Sequence, residues 1–147
     1  MNAPREDIYA ALFTLLNGLA DWKFTDRKYV PISQIGDTSF PAMMMCQKDE
    51  QPEVNGRGIP IKWHLNVEVV IYVDTGGDRE DMVPAQLLNP LLDTIENAIQ
   101  PDPTIRGPQT LGGLVSQTRI NGKVETDGGV LLNRGWAVVP VEIIVPA

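Results

Sequence analysis

The stretch PIKWHLNVEVVIYVD at positions 60–74 constrains the fold more than any other part of the chain. Side chains on a strand point to alternate faces. Ile61, Trp63, Leu65, Val67, Val69, Ile71 and Val73 therefore share one wholly apolar face, which must be covered. The other face begins polar with Lys62, His64, Asn66 and Glu68, then turns apolar at Val70 and Tyr72. At about 3.3 Å per residue this strand runs roughly 45 Å, against a common length of about five or six residues. A strand of that length is expected to bend or to project beyond its own domain.

Two helices are expected to cover the apolar face. The first spans 4–20, where Ile8, Leu12, Leu15, Leu16 and Leu19 form an amphipathic stripe. Pro4 suits its first position, and Glu6 and Asp7 sit where the positive helix end favours acids. The second spans 83–99 with Leu88, Leu91, Leu92, Ile95 and Ile99 on one stripe. Asp78 or Asp81 is a candidate cap and Pro84 suits the first turn. Pro90 conflicts with a regular helix and predicts an irregularity there.

The other segments read mostly as strands and turns. Residues 40–48 predict a strand with Phe40, Ala42, Met44 and Cys46 inward. Residues 21–39 lack a period; Trp22, Phe24, Tyr29, Val30 and Ile32 are expected to tack them onto the domain. Residues 49–59 read as a polar loop long enough to contact a neighbour. Asn121-Gly122 predicts a hairpin between strands at 113–120 and 123–127. The last strand carries Ala137, Val139, Val141, Ile143 and Val145 on one face, with Pro140 suiting an edge or bulge. The order of elements predicts a single α+β domain over 1–147, a mostly antiparallel sheet with two main helices packed on it.

The chain has 147 residues and a single cysteine, Cys46, so it closes no internal disulfide. Its first residues, MNAPRED, show no secretory apolar region, and no run is long enough to span a bilayer, so a soluble protein is expected. The net charge of −7 disfavours nucleic-acid binding. Lys23, Arg27 and Lys28 interleave with Trp22, Phe24 and Tyr29, but Asp21 and Asp26 among them make a poor single-strand surface.

Catalytic chemistry finds little to work with. A nucleophile–histidine site needs a histidine, and the one present, His64, lies on the polar strand face without a motif around it. A metal site recruits several His or Cys ligands, and the chain has one of each. Asp74, Asp78, Glu80 and Asp81 do not match calcium-loop spacing. LGGL at 111–114 is no dinucleotide fingerprint. No catalytic, cofactor or metal residue is assigned, and enzyme activity is not expected.

One resemblance supplements this reading. LGGLVSQTRINGKVETDGGVLLNRGWAVVPVEIIVP from Leu111 onward is similar to the end of the tail terminator proteins of long-tailed bacteriophages. LLNPLLDTIENAI at 87–99 and the strand ending VDTGGD also look like that family, so the likeness covers roughly 60–147. It implies a structural virion protein at the tail–neck junction, made in the bacterial cytoplasm. Such a protein caps the tail tube, stops its growth and docks to the head connector. Its partners would be copies of itself in a hexameric ring, tail tube protein and a neck protein, with DNA passing through the lumen unbound and no membrane involved. Glu53, Asn55, Arg57, Asp78, Arg79 and Glu80 are the candidate contact residues. The alternatives are another neck or head-completion protein of such phages, a small enzyme using His64 and a carboxylate, and a small-ligand module.

Overall fold

The computed structural model describes residues 1–77, 81–101, 104, 106–127 and 129–147. In chain order the elements are α1 (Arg5–Asn17), β1 (Phe24–Asp26), a short 3-10 turn (Ile32–Gln34), β2 (Ala42–Val54), β3 (Pro60–Asp74), α2 (Ala85–Ile99), β4 (Gln117–Ile120), β5 (Glu125–Thr126) and β6 (Arg134–Pro146). The sheet runs β1-β2-β3-β6-β4, with β5 also on β6. Among the described residues only the β1–β2 pair is parallel. The molecule is an α+β domain with a mostly antiparallel sheet.

The long alternating strand is β3, and its length is absorbed rather than projected. β6 pairs with it over thirteen positions, from Lys62 opposite Pro146 to Asp74 opposite Arg134. β2 pairs along the other side from Tyr72 to Pro60. Three strands of nearly equal length thus form one long sheet, and only the β2–β3 turn outruns it.

One face carries the main core. Leu65, Val67, Val69, Ile71 and Val73 of β3 pack with alternate residues of β6, with Ile8, Tyr9, Leu12 and Leu16 of α1, and with Leu88, Ile95 and Ile99 of α2. Ile61, on the same face, is 50 % exposed because neither helix reaches it. Gly135 sits where α2 crosses the sheet. A Cβ there would lie 2.6 Å from Cβ of Pro84, so that position has no room for a side chain. The opposite face is apolar only at one end. Ile35, Ala42, Met44, Val70 and Tyr72 form a second cluster, covered by Phe24, Val30, Ile32 and Phe40 from the segment between α1 and β2.

Several expectations are corrected. β2 buries both faces, since Met43 and Met45 join the main core while Ala42 and Met44 join the second cluster. Phe40 precedes the strand instead of opening it. Residues 49–54 continue β2; as the outer side of a sheet they tolerate polar side chains, and the turn shrinks to 55–59. Tyr29 stands 62 % exposed and holds its segment through a side-chain hydrogen bond with Tyr72 rather than by burial, while the Tyr72 hydroxyl donates to the Val30 carbonyl at 2.8 Å.

β4 and β5 do not form a hairpin with each other. Both pair with β6, one after the other along the same side. Asn121 N donates to the Pro140 carbonyl at 3.0 Å, so Pro140's missing N–H points toward that side and the partner strand detaches there. Gly122 (φ 122°) turns the chain tightly over it, and a Cβ would meet Pro140 Cγ at 3.2 Å. Pro140 therefore lies inside the sheet at the break between two partner strands, not on an outer edge.

α2 stays helical through Pro90, and Pro84, not an aspartate, takes its capping position. Pro90 is exposed, so the bond it cannot make falls on the outer side of the helix. Asp78, the other expected cap, lies outside the described residues.

Candidate protein-docking surface

The β2–β3 turn is built around Asn55. Its Oδ1 accepts from the backbone N–H of Arg57 at 2.9 Å and of Ile59 at 3.2 Å. Gly58 (φ 75°) closes the turn with its N–H on the Asn55 carbonyl at 2.9 Å. Asn55 is thus committed to turn geometry. Glu53 is committed as well, accepting from His64 Nε2 at 3.1 Å and pairing with Lys62 at 3.3 Å. Those two bonds hold its carboxyl below the ordinary range. Arg57 makes no ion pair among the described residues and is carried at the outermost point of the tip. Beside it Val54, Ile59 and Ile61 are each half exposed. The tip is an apolar patch with one unspent cation.

Strand addition along β2 is discouraged. β1 covers only Ala42–Met44. Beyond it the register shifts between Gln47 and Glu50, and Lys48, Asp49, Glu53 and Pro52 line the edge. A bulge, charges and a proline are the devices that keep an open edge from pairing. Contacts through the tip side chains are the available mode.

Behind the tip, the wet face of the sheet holds a charge clasp. Glu142 of β6, with only 7 % of its side chain exposed, accepts two bonds from Arg119 of β4 at 2.7 and 2.8 Å and one from Asn121 at 3.2 Å. His64 stands between it and Glu53, its Nδ1 at 3.2 Å from Glu142 and its Nε2 on Glu53. The clasp joins β2, β3, β6 and β4. His64 thus lies between two carboxylates, with 22 % of its side chain exposed. Cys46 pairs opposite Glu68, four residues along β3 from His64, which is roughly 13 Å at strand spacing. Burial, then the Glu68 charge, pushes its thiol up, so it is the protonated, poorly nucleophilic form near neutrality.

The far end of β3 is also uncovered. A groove of about 410 Å³ opens there, with Phe40, Pro41, Leu87, Pro90 and Leu91 as apolar walls and Gln86 at its mouth. Val83, Val130, Leu131 and Leu132 are exposed at the same end, Leu132 by 82 %. Leu132 also sits at φ 60°, a conformation that disfavours a leucine. The loop carrying it is anchored by Asn133, whose carbonyl accepts from Thr75 N at 2.8 Å.

Asp74 ties this end together. Burial works against its charge, but the Gly76 N–H at 2.7 Å, the Arg134 guanidinium at 3.0 Å and the Asn133 amide at 3.0 Å outweigh it. Its carboxyl is held below the ordinary range. A carboxylate lowered on folding contributes stability that is complete above its unfolded pKa and lost as pH falls through the folded value. Asp74→Asn is expected to lower stability at pH 7 by about 1–3 kcal/mol. The difference from wild type should shrink below a pH of about 4 in urea melts taken across the acid range.

Of the contact residues expected from sequence, Glu53, Asn55 and Arg57 come together at the tip, whereas Asp78, Arg79 and Glu80 lie outside the described residues. The apolar members, Val54, Ile59 and Ile61, escaped notice; Ile61 carried a signal, as an apolar position past the reach of both helices. Two of the three basic residues among the aromatics are spent on neighbours, Lys23 on Asp21 and Arg27 on Glu6. Among the described residues no group of three or more His, Cys, Asp or Glu side chains is placed to hold a metal ion. No described helix is long and apolar enough to cross a membrane. Comparison with protein-family models and with curated proteins gave no match.

Proposed function

We propose that this chain is a structural virion protein of the tail-terminator kind. It caps the tail tube, stops its growth and presents the docking face for the head connector, working as a ring of about six copies and without catalysis. The observation that carries the proposal is the pair of uncovered apolar ends on one long sheet, one at the β2–β3 tip and one beyond the end of β3. Apolar surface left exposed in clusters marks contact sites. The likeness of residues 60–147 to tail terminators gives those sites an occupation. The net charge of −7 suits a lumen past which DNA slides without sticking.

Light scattering on the protein alone and mixed with tail tube protein tests this. A shift to a mass of about six copies, together with shortened tubes, is the expected result. Protein that remains a monomer and leaves tube growth unchanged would overturn it. Binding to connector assemblies but not to tubes would move the assignment to a neighbouring neck protein.

A further inference from the structure

The groove at the far end of β3 has three properties that together describe its occupant. Its walls are apolar, from Phe40, Pro41, Leu87 and Leu91. Its α2 wall lacks one backbone donor, because Pro90, which lines it, has no N–H to offer the Gln86 carbonyl. Its surroundings are acidic. Asp37 and Asp74 share the single guanidinium of Arg134, which lies over the Phe40 ring at 4.9 Å, while Asp81, just before α2, has no ion pair among the described residues, so the acids outnumber the cation. An occupant should therefore be apolar and carry a cationic donor.

The β2–β3 tip meets that description with Val54, Ile59, Ile61 and the unspent guanidinium of Arg57. The tip cannot reach the groove of its own molecule. The two lie at opposite ends of the fifteen-residue β3, roughly 45 Å apart at strand spacing. A different patch on each partner makes a heterologous contact, which closes into a ring or runs on as a filament. We infer that the groove beside the first turns of α2 receives the β2–β3 tip of a second copy of this chain, Arg57 pairing with the acidic rim. This contact rests on the ring reading and supplies its subunit joint.

Disulfide trapping tests it. In a Cys46→Ala background, Ile59→Cys and Gln86→Cys are made singly and together. Each is treated with a mild oxidant, with tail tube protein present, at the concentration used for light scattering. The two single variants, mixed, are expected to give a linked dimer and nothing larger; the double variant should give a ladder up to the ring. Self-linking of the Ile59→Cys chain with no mixed product would place tip against tip and overturn the inference. A ring by mass with no tip–groove link would overturn this joint and leave the terminator reading standing. A ladder in protein that leaves tube growth unchanged would support the joint and overturn the terminator reading. Protein that neither assembles nor links would sink both.

Discussion

Ile71→Ala is expected to destabilise the protein by about 2–5 kcal/mol, a large fraction of the stability of a domain this size. Ile71 is fully buried. It lies opposite Met43 on one side and Ala137 on the other, in the middle of the sheet. The small Ala137 leaves Ile71 to fill the space beneath the helices, so neighbours have little freedom to collapse into the void. For a chain of this size the loss corresponds to a fall in melting temperature of roughly 10 °C. Ile71→Val, which removes one methyl group, should cost only about 0.5–1.5 kcal/mol. Calorimetry on the pair checks the claim; equal and small losses would mean that the core at this point is loosely packed.

Ile59→Asp combined with Ile61→Asp is expected to abolish assembly while leaving the monomer intact. Both side chains are half exposed in the isolated chain, and exposed substitutions usually change folding stability by less than about 0.5 kcal/mol. In the joint each would be buried, where an isoleucine contributes about 1.5–3 kcal/mol and an unpaired carboxylate is strongly opposed. Two such changes weaken association by at least about 100-fold. Sedimentation should then show a monomer with unchanged far-ultraviolet circular dichroism under the conditions in which the parent protein is proposed to form rings. Full assembly by the double variant would show that the tip is not a contact.

The parts of the fold that were readable from sequence are those in which one physical signal dominates over a long window. The alternation through β3 and β6 names the buried face residue by residue, and the helical stripes of α1 and α2 name what covers it. Where two local signals compete, sequence reasoning followed the wrong one. Asn121-Gly122 is strong hairpin chemistry, yet the turn serves to pass over Pro140, which offers β4 and β5 no donor. Residues 49–54 look like a loop because they are charged, yet an outer strand of a sheet needs little hydrophobicity. The candidate tip is marked in the sequence by its polar residues, two of which are occupied within the turn and clasp. The groove was not legible at all. It is made by Phe40 and Pro41 meeting α2, segments with no shared periodicity, and by Pro90, which reads in sequence only as a helix fault.

The near-equal lengths of β2, β3 and β6 turn the sheet into a gauge. The spacing and relative rotation of its two ends follow from the number of residues and the right-handed twist that strands accumulate. Removing two residues from each of the three strands would keep every side chain on its own face, because the period is two. It would also draw the ends together by roughly 7 Å and take out one increment of rotation between them. A ring closes only when the rotation per copy divides a full circle, so copy number, and with it the width of the opening, would be encoded in strand length.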